Sequence, residues 1–160
     1  MIDRKIAVYV RFGSQAARFT LPDENDAYNG YLNQGNIKTA LYCRTASVNP
    51  NDSMAIEAQL SKLRMFAEKQ GFTKFAEYCD NGYNGLTLDR PAFVQLDADI
   101  SAEKIDTIIV RSLDRVARNY MLADKWISNL KKRNVKIIAM DGSHDFPKID
   151  LGSLKMKLNC

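Results

Sequence analysis

The sequence contains one histidine, His144, and only three cysteines, Cys43, Cys79 and Cys160. A single imidazole argues against most catalytic schemes that need a histidine base, and against metal sites with several histidine ligands. The cysteines are odd in number, far apart in sequence and free of any Cys-x-x-Cys motif, which argues against a disulfide framework and a zinc–cysteine site. Any catalysis is therefore expected from serine, arginine, aspartate or lysine.

Long apolar runs are also missing. No stretch approaches the roughly 20 consecutive apolar residues that a membrane-spanning helix needs. The start, MIDRKIAVYVRFG, lacks the apolar region followed by small residues that is typical of a secretory signal. We therefore expect a cytoplasmic protein without a membrane partner. The chain has 160 residues, 46% of them hydrophobic and 26% charged, which is enough for one domain with its own core.

Positive charge is concentrated in the last part of the chain. Residues 1–100 hold 11 Lys and Arg against 12 Asp and Glu, a net charge of −1, whereas residues 101–160 hold 12 against 7, a net charge of +5. This asymmetry favours an anionic partner, with nucleic acid as the first candidate. From charge alone, the alternative is a solvated basic helix face.

From residue 38 onward, strand-like and helix-like segments alternate. Short apolar runs predict strands over 39–43, 75–79, 106–110 and 135–140. Helical periodicity and capping residues predict helices over about 52–70, 91–99 and 114–133. This order predicts an α/β fold, an open and mostly parallel sheet of four to five strands with helices on both faces and flavodoxin-like layering. Chemistry in such sheets gathers at the carboxyl ends of the strands.

Residues 1–37 precede this alternation and contain a further strand-like run at 6–10. The segment KIAVYVRFGS (5–14) aligns without gaps on KTALYCRTAS (38–47), with five of ten residues identical, which suggests a repeated strand and turn. We interpret 1–37 as an extension with an extra strand. Whether this strand or the 39–43 strand takes the central sheet position, or whether the extra strand swaps into a neighbouring protomer, stays open.

The segment 111–119, RSLDRVARN, carries the clearest candidate for chemistry. If a helix begins here, Arg115 and Arg118 project from the same side, close to the positive end of the helix dipole. Guanidinium groups bind phosphate through paired hydrogen bonds, so these arginines predict a phosphate site. Asp114 is placed to cap the helix, to orient an arginine or to transfer a proton. The alternative is a solvent-facing basic helix with Asp114 as its cap.

A second candidate segment, YCRTAS (42–47), ends the first predicted strand of the alternation. Arg44 at this strand end could face the same phosphate as Arg115 and Arg118. Ser47 offers a hydroxyl that could attack a phosphodiester while arginines stabilise the charged transition state, without a metal ion. The alternative role of Ser47 is that of a turn or helix-capping serine.

Taken together, these segments resemble the catalytic domain of serine site-specific recombinases, the resolvase/invertase family. The stretches that match the family's motifs, in order and spacing, are YCRTAS (42–47), SMAIEAQ (53–59), DNGYNG (80–85), LDRP (88–91) and LDRVAR (113–118). The resemblance covers residues 38–141, which we interpret as a resolvase-like catalytic domain. It implies serine attack on DNA, a 5′-phosphoserine link and a free 3′-hydroxyl, with strand exchange in a tetramer and without metal, ATP or another cofactor.

Carried over by position, the resemblance implies that Arg44, Arg115 and Arg118 would grip the scissile phosphate. Asp114 would assist proton transfer to the leaving 3′ oxygen or orient the arginines. Supporting or phosphate-binding roles fall on three further matched positions, Gln59, Asp80 and Arg90.

The sequence departs from the family pattern at the nucleophile. The family's serine falls on Ala46, so Ser47, one place later, is a candidate nucleophile by adaptation, and the loop serine of the pattern is Asn84. Residues 142–160 form a short basic tail, in which we expect no DNA-recognition domain. The implied function is a DNA recombinase of a mobile element, impaired if Ser47 does not act. It would work as a homo-oligomer, dimer or tetramer, or beside a full-length recombinase.

Two alternatives remain. The first is a noncatalytic resolvase-like module that associates with DNA or with a partner and modulates an active recombinase; the alanine at the nucleophile position favours it. The second is a flavodoxin-like domain that binds a phosphate or another small ligand, and it rests on the predicted sheet topology alone.

Overall fold

The computed structural model describes residues 6–12, 15–21, 37–46 and 52–143. Its strands are β1 (Ile6–Phe12), β2 (Gln15–Leu21), β3 (Thr39–Thr45), β4 (Lys74–Asn81), β5 (Thr107–Val110) and β6 (Lys136–Ala139). Its α-helices are α1 (Asp52–Lys69), α2 (Pro91–Ser101) and α3 (Tyr120–Lys132), and a 3₁₀ turn covers Leu113–Arg115. No helix in this described part is both long and apolar enough to cross a membrane.

The strands form one sheet in the order β2-β1-β4-β3-β5-β6. The pairs β4–β3, β3–β5 and β5–β6 are parallel, which confirms the predicted open α/β fold. The sheet has six strands rather than four to five, because the segment 15–21 also joins it. That segment, QAARFTL, lacks the continuous apolar run that identifies the other strands, and it is held in the sheet by its hairpin with β1.

The extra strand β1 does not take the place of β3. It lies on the far side of β4 and pairs antiparallel with both β4 and β2 of the same chain. The similarity between 5–14 and 38–47 therefore does not reflect equivalent places in the fold, since β3 runs parallel to β4.

Helices cover both faces of the sheet, as predicted. Side chains alternate between the faces along a strand, so Leu41 packs toward α1 and Tyr42 toward α2 and α3. The cluster beneath α1 contains Leu41, Cys43, Leu60, Leu63, Ala67, Phe75 and Ile109. The larger cluster on the other face includes Tyr42, Tyr78, Phe93, Leu96, Ile108, Trp126, Ile127 and Leu130.

The predicted helix over 114–133 is wrong in its first part. A 3₁₀ turn occupies Leu113–Arg115, and α3 begins only at Tyr120. A helix from residue 114 would use the Arg118 amide internally, but this amide donates to the carbonyl of Gly85 at 2.7 Å. Asn119 caps α3 by accepting from the amides of residues 121 and 122, so Asp114 is not a helix cap.

Candidate phosphate site

The order of the parallel strands determines where a site can form. From β3 the chain crosses to β4 on one side, and later returns to β5 on the other side of β3. At such a change of direction, the carboxyl ends of neighbouring strands leave a crevice in which α/β sheets bind ligands. Arg44 lies near the end of β3, and the segment 111–118 follows β5. Both arginine-bearing segments therefore meet at this crevice.

Arg44 links the loop after β4 to the segment after β5. Its side chain is fully buried, and it donates from Nη1 to the carbonyl of Tyr83 at 3.0 Å and from Nε to the carbonyl of Arg115 at 3.2 Å. Its Nη2 atom has no hydrogen-bond partner within the described residues. Burial lowers the pKa of Arg44, and so do the nearby guanidinium groups of Arg90, Arg115 and Arg118. A bound anion would offset this repulsion.

Gly85 brings Arg44 and Arg118 together. A Cβ atom on Gly85 would lie 2.9 Å from Cγ of Arg118 and 2.9 Å from Nη2 of Arg44. Residue 85 therefore has to lack a side chain if both arginines are to keep their positions. The hydrogen bond from the Arg118 amide fixes the same contact through the backbone.

Arg115 and Asp114 form the exposed side of the site. Nε of Arg115 is buried without a hydrogen-bond partner in the described structure, and Oδ2 of Asp114 lies 4.0 Å from it. Ser112 donates its hydroxyl proton to the other carboxylate oxygen of Asp114 in a close contact. Sequence reasoning missed Ser112. The sequence signal, a serine two residues before an aspartate, is weak, because such serines also hydrogen-bond to neighbouring backbone groups.

Asp80 is buried among hydrogen-bond donors. Its carboxylate accepts from the amides of Ala92 at 2.9 Å and Phe93 at 3.1 Å, and from the Tyr42 hydroxyl at 2.8 Å. Burial raises the pKa of Asp80, although the Ala92 amide and the Tyr42 hydroxyl oppose this rise. At 1% exposure, Asp80 caps the start of α2 from the neighbouring sheet. This geometry supports a positioning role and not direct phosphate binding.

Arg90 connects that cap to the arginine segment. Its Nε atom lies 4.0 Å from Asp80, and its Nη2 atom donates to the carbonyl of Val116. The side chain is 1% exposed, and Nε and Nη1 have no hydrogen-bond partner within the described part of the chain. Arg90 therefore holds the backbone at residue 116, which lies between Arg115 and Arg118 in the chain.

The structure gives less information on the two remaining predicted residues, Gln59 and Ser47. Gln59 is half-buried on α1, and its Oε1 atom is buried without a hydrogen-bond partner in the described region. Ser47 lies outside the described residues, whereas Ala46 is exposed directly after β3. Thr45 is buried, and its hydroxyl donates to Asn81 at 2.6 Å. Among the described residues, no group of three or more His, Cys, Asp or Glu side chains could hold a metal ion.

Solved structures of other proteins share this fold. The N-terminal catalytic domain of TP901-1 integrase matches with a TM-score of 0.60 and 28% identity, over 75% of this chain and 89% of that one. A resolvase family site-specific recombinase from Streptococcus pneumoniae shares the fold, with a TM-score of 0.55 and 24% identity, over 77% of this chain and 87% of that one.

Sequence comparisons give the same family as the structural matches. A Bacillus subtilis (strain 168) protein provisionally named as a DNA recombinase is 31% identical over 84 residues, which are 52% of this chain and 17% of that protein. The family model described as "Resolvase, N terminal domain" matches residues 39–157. The chain therefore belongs to the resolvase N-terminal domain family, and its fold is that of serine recombinase catalytic domains.

Proposed function

We propose that this chain acts on DNA as the catalytic part of a site-specific recombinase, with Arg44, Arg115 and Arg118 holding a backbone phosphate. The observation that carries the proposal is the convergence of these arginines at the carboxyl ends of the strands. Nη2 of Arg44 and Nε of Arg115 have no hydrogen-bond partner among the residues that the structure describes. A phosphodiester supplies both the negative charge and the acceptors that such a cluster lacks.

The chemistry is a phosphoryl transfer to serine. A serine oxygen attacks phosphorus and loses its proton, the bond from phosphorus to the 3′ oxygen breaks, and the 3′ oxygen takes up a proton. The arginines stabilise the charge that develops on the phosphoryl oxygens. Ser47 is our candidate for the nucleophile, and Asp114 for the group that protonates the leaving oxygen. Rejoining is the reverse of the same steps.

DNA binding by the arginine cluster can be measured by fluorescence anisotropy of a labelled duplex over a range of salt concentrations. We expect Arg118→Ala to weaken binding about tenfold and to reduce the slope of log affinity against log salt by about one. Arg133→Ala is the matched control, because Arg133 is exposed just before β6 and therefore lies at the amino ends of the parallel strands, away from the site. Equal losses in both variants would contradict a phosphate site at Arg118.

Covalent chemistry requires a separate test. The chain is incubated with supercoiled DNA that carries a candidate site, and the reaction is stopped with detergent. The sample is then examined for a protein–DNA adduct. We expect an adduct that Ser47→Ala abolishes. If the adduct persists in Ser47→Ala but disappears in Ser112→Ala, Ser112 is the nucleophile and our assignment of Ser47 is wrong.

A second function is favoured by one observation, the exposed alanine at position 46, where the family has its serine. Because the Thr45 hydroxyl is already bonded to Asn81, it offers no nearby replacement. In this alternative the chain binds DNA or an active recombinase in a mixed oligomer, without forming a phosphoserine link. The test is Ala46→Ser, which should create an adduct that the natural chain cannot form. Efficient cleavage by the natural chain would exclude the alternative.

A further inference from the structure

Two cysteines lie opposite each other beneath α1. Cys43 on β3 and Cys79 on β4 are partners in the parallel register. Their Sγ atoms are 3.4 Å apart, with the Cys43 thiol donating to Cys79. Both thiols are free, Cys43 being buried and Cys79 partly exposed. Neighbouring strands are about 4.8 Å apart, which falls within the Cα separations that a disulfide can bridge.

We propose that this pair is a redox modification site, at which hydrogen peroxide drives formation of a Cys43–Cys79 disulfide. The Cys79 thiolate attacks one peroxide oxygen and the O–O bond breaks, giving a sulfenic acid and a hydroxide that is protonated to water. The Cys43 sulfur then attacks the Cys79 sulfur, the S–O bond breaks and the second water leaves with the thiol proton. Two thiols lose two electrons in total, and the peroxide gains them.

The surroundings of the two sulfurs determine the order of these steps. The hydrogen bond to Cys79 raises the pKa of the Cys43 thiol, and burial raises it further. Since the thiolate is the reactive form, Cys43 is a poor first nucleophile toward peroxide. Cys79 is the less buried of the two residues, so we expect the oxidant to reach it first. Cys43 is already in contact with it and can resolve the sulfenic acid.

Disulfide formation should also shift the strands that carry residues of the candidate phosphate site. This part of the inference rests on the proposed function. The next residues along β3 and β4 are Arg44 and Asp80, which are also register partners. Their side chains point to the opposite face of the sheet, because successive side chains alternate. A disulfide draws the sulfurs from 3.4 Å to about 2.0 Å, and the strands must adjust where Arg44 and Asp80 are attached.

The modification is tested in a Cys160→Ser background, so that Cys43 and Cys79 are the remaining thiols. The folded protein is treated with hydrogen peroxide and then unfolded in urea with N-ethylmaleimide. Its intact mass is measured by mass spectrometry without reductant. We expect a loss of about 2 Da, no added maleimide, a peptide that links the two cysteines, and reversal by dithiothreitol. Recovery of two alkylated cysteines, or of overoxidised Cys79 beside a free Cys43, would overturn the proposal.

Its effect on the site is tested on the same samples by DNA anisotropy. We expect the oxidised protein to bind DNA at least threefold more weakly, with full recovery after dithiothreitol. The Cys43→Ser variant, which cannot form the disulfide, should keep its affinity after the same treatment. A disulfide that leaves binding unchanged would overturn the link to the phosphate site. Failure of the reduced protein to bind DNA would instead contradict the proposed function. Peptide mapping would still show whether the Cys43–Cys79 disulfide had formed.

Discussion

The carbonyl of Gly85 accepts the amide hydrogen of Arg118 at 2.7 Å, and the missing side chain of Gly85 leaves the space that Arg118 and Arg44 occupy. This contact joins the loop after β4 to the segment after β5. It stops a helix from starting at residue 114, and it places the side chain of Arg118 near the Arg44 guanidinium at the carboxyl end of the sheet. The candidate site therefore depends on a residue that has no functional group.

Gly85→Ala is expected to weaken DNA binding about fivefold, because the new methyl group would lie 2.9 Å from both Arg118 and Arg44 and displace them. The measurement is duplex anisotropy. The same change is also made in an Arg118→Ala background, where the truncated side chain removes the Cγ contact. We expect a smaller effect there, since residues in contact are not additive. Equal losses in the two backgrounds would show that Gly85 does not act through Arg118.

Arg90→Ala is expected to lower the free energy of unfolding by about 3 kcal/mol, since it removes a buried cation beside Asp80 and a donor to the Val116 carbonyl. Urea unfolding monitored by circular dichroism measures the change. The control is Arg111→Ala, which truncates an exposed arginine near the same sheet edge and should cost at most about 0.5 kcal/mol. Similar values for both variants would contradict the positioning role of Arg90.

Arg64 joins α1 to the sheet through a buried carboxylate. It donates to both oxygens of Glu77, at 2.6 Å and 2.9 Å, and to the exposed Glu57 at 2.6 Å. Arg64→Ala should destabilise the fold by about 3 kcal/mol, because Glu77 is fully buried and loses two charge-assisted hydrogen bonds. Glu57→Ala should cost about 0.5 kcal/mol, as expected for an exposed ion pair. The free energy of unfolding of both variants is measured in urea. Equal losses would contradict the larger role assigned to the buried Arg64–Glu77 pair.

The start of α3 can be tested by capping. Asn119→Ala should reduce stability by about 1 kcal/mol, because the amides of residues 121 and 122 lose their acceptor. Asn119→Asp retains an acceptor and should be close to neutral. Asp114→Ala should also leave the unfolding midpoint nearly unchanged, since Asp114 caps no helix here. A larger loss from Asp114→Ala than from Asn119→Ala would support the helix start predicted from sequence.

Local patterns predicted much of the fold. Apolar runs located the four parallel strands, and Gly71 marks the end of α1, where its φ of +89° suits a residue without a side chain. The hairpin strand β2 was not found, because its stability comes from backbone pairing with β1 and not from its own apolar pattern. The helix over 114–133 was placed too early, because a distant carbonyl, that of Gly85, competes for one of its amides.

The sequence by itself determined the family, the α/β alternation and the residue types available for chemistry, because spacing, periodicity and motif order are properties of the chain. Only the tertiary structure decided what those residues do. It placed Asp80 against the start of α2 and bonded Arg90 to the Val116 carbonyl. It brought the side chains of Arg44 and Arg118 together around Gly85. It also brought Cys43 into contact with Cys79. Burial, register and unpaired donors arise from contacts between residues far apart in the chain, and no local pattern encodes them.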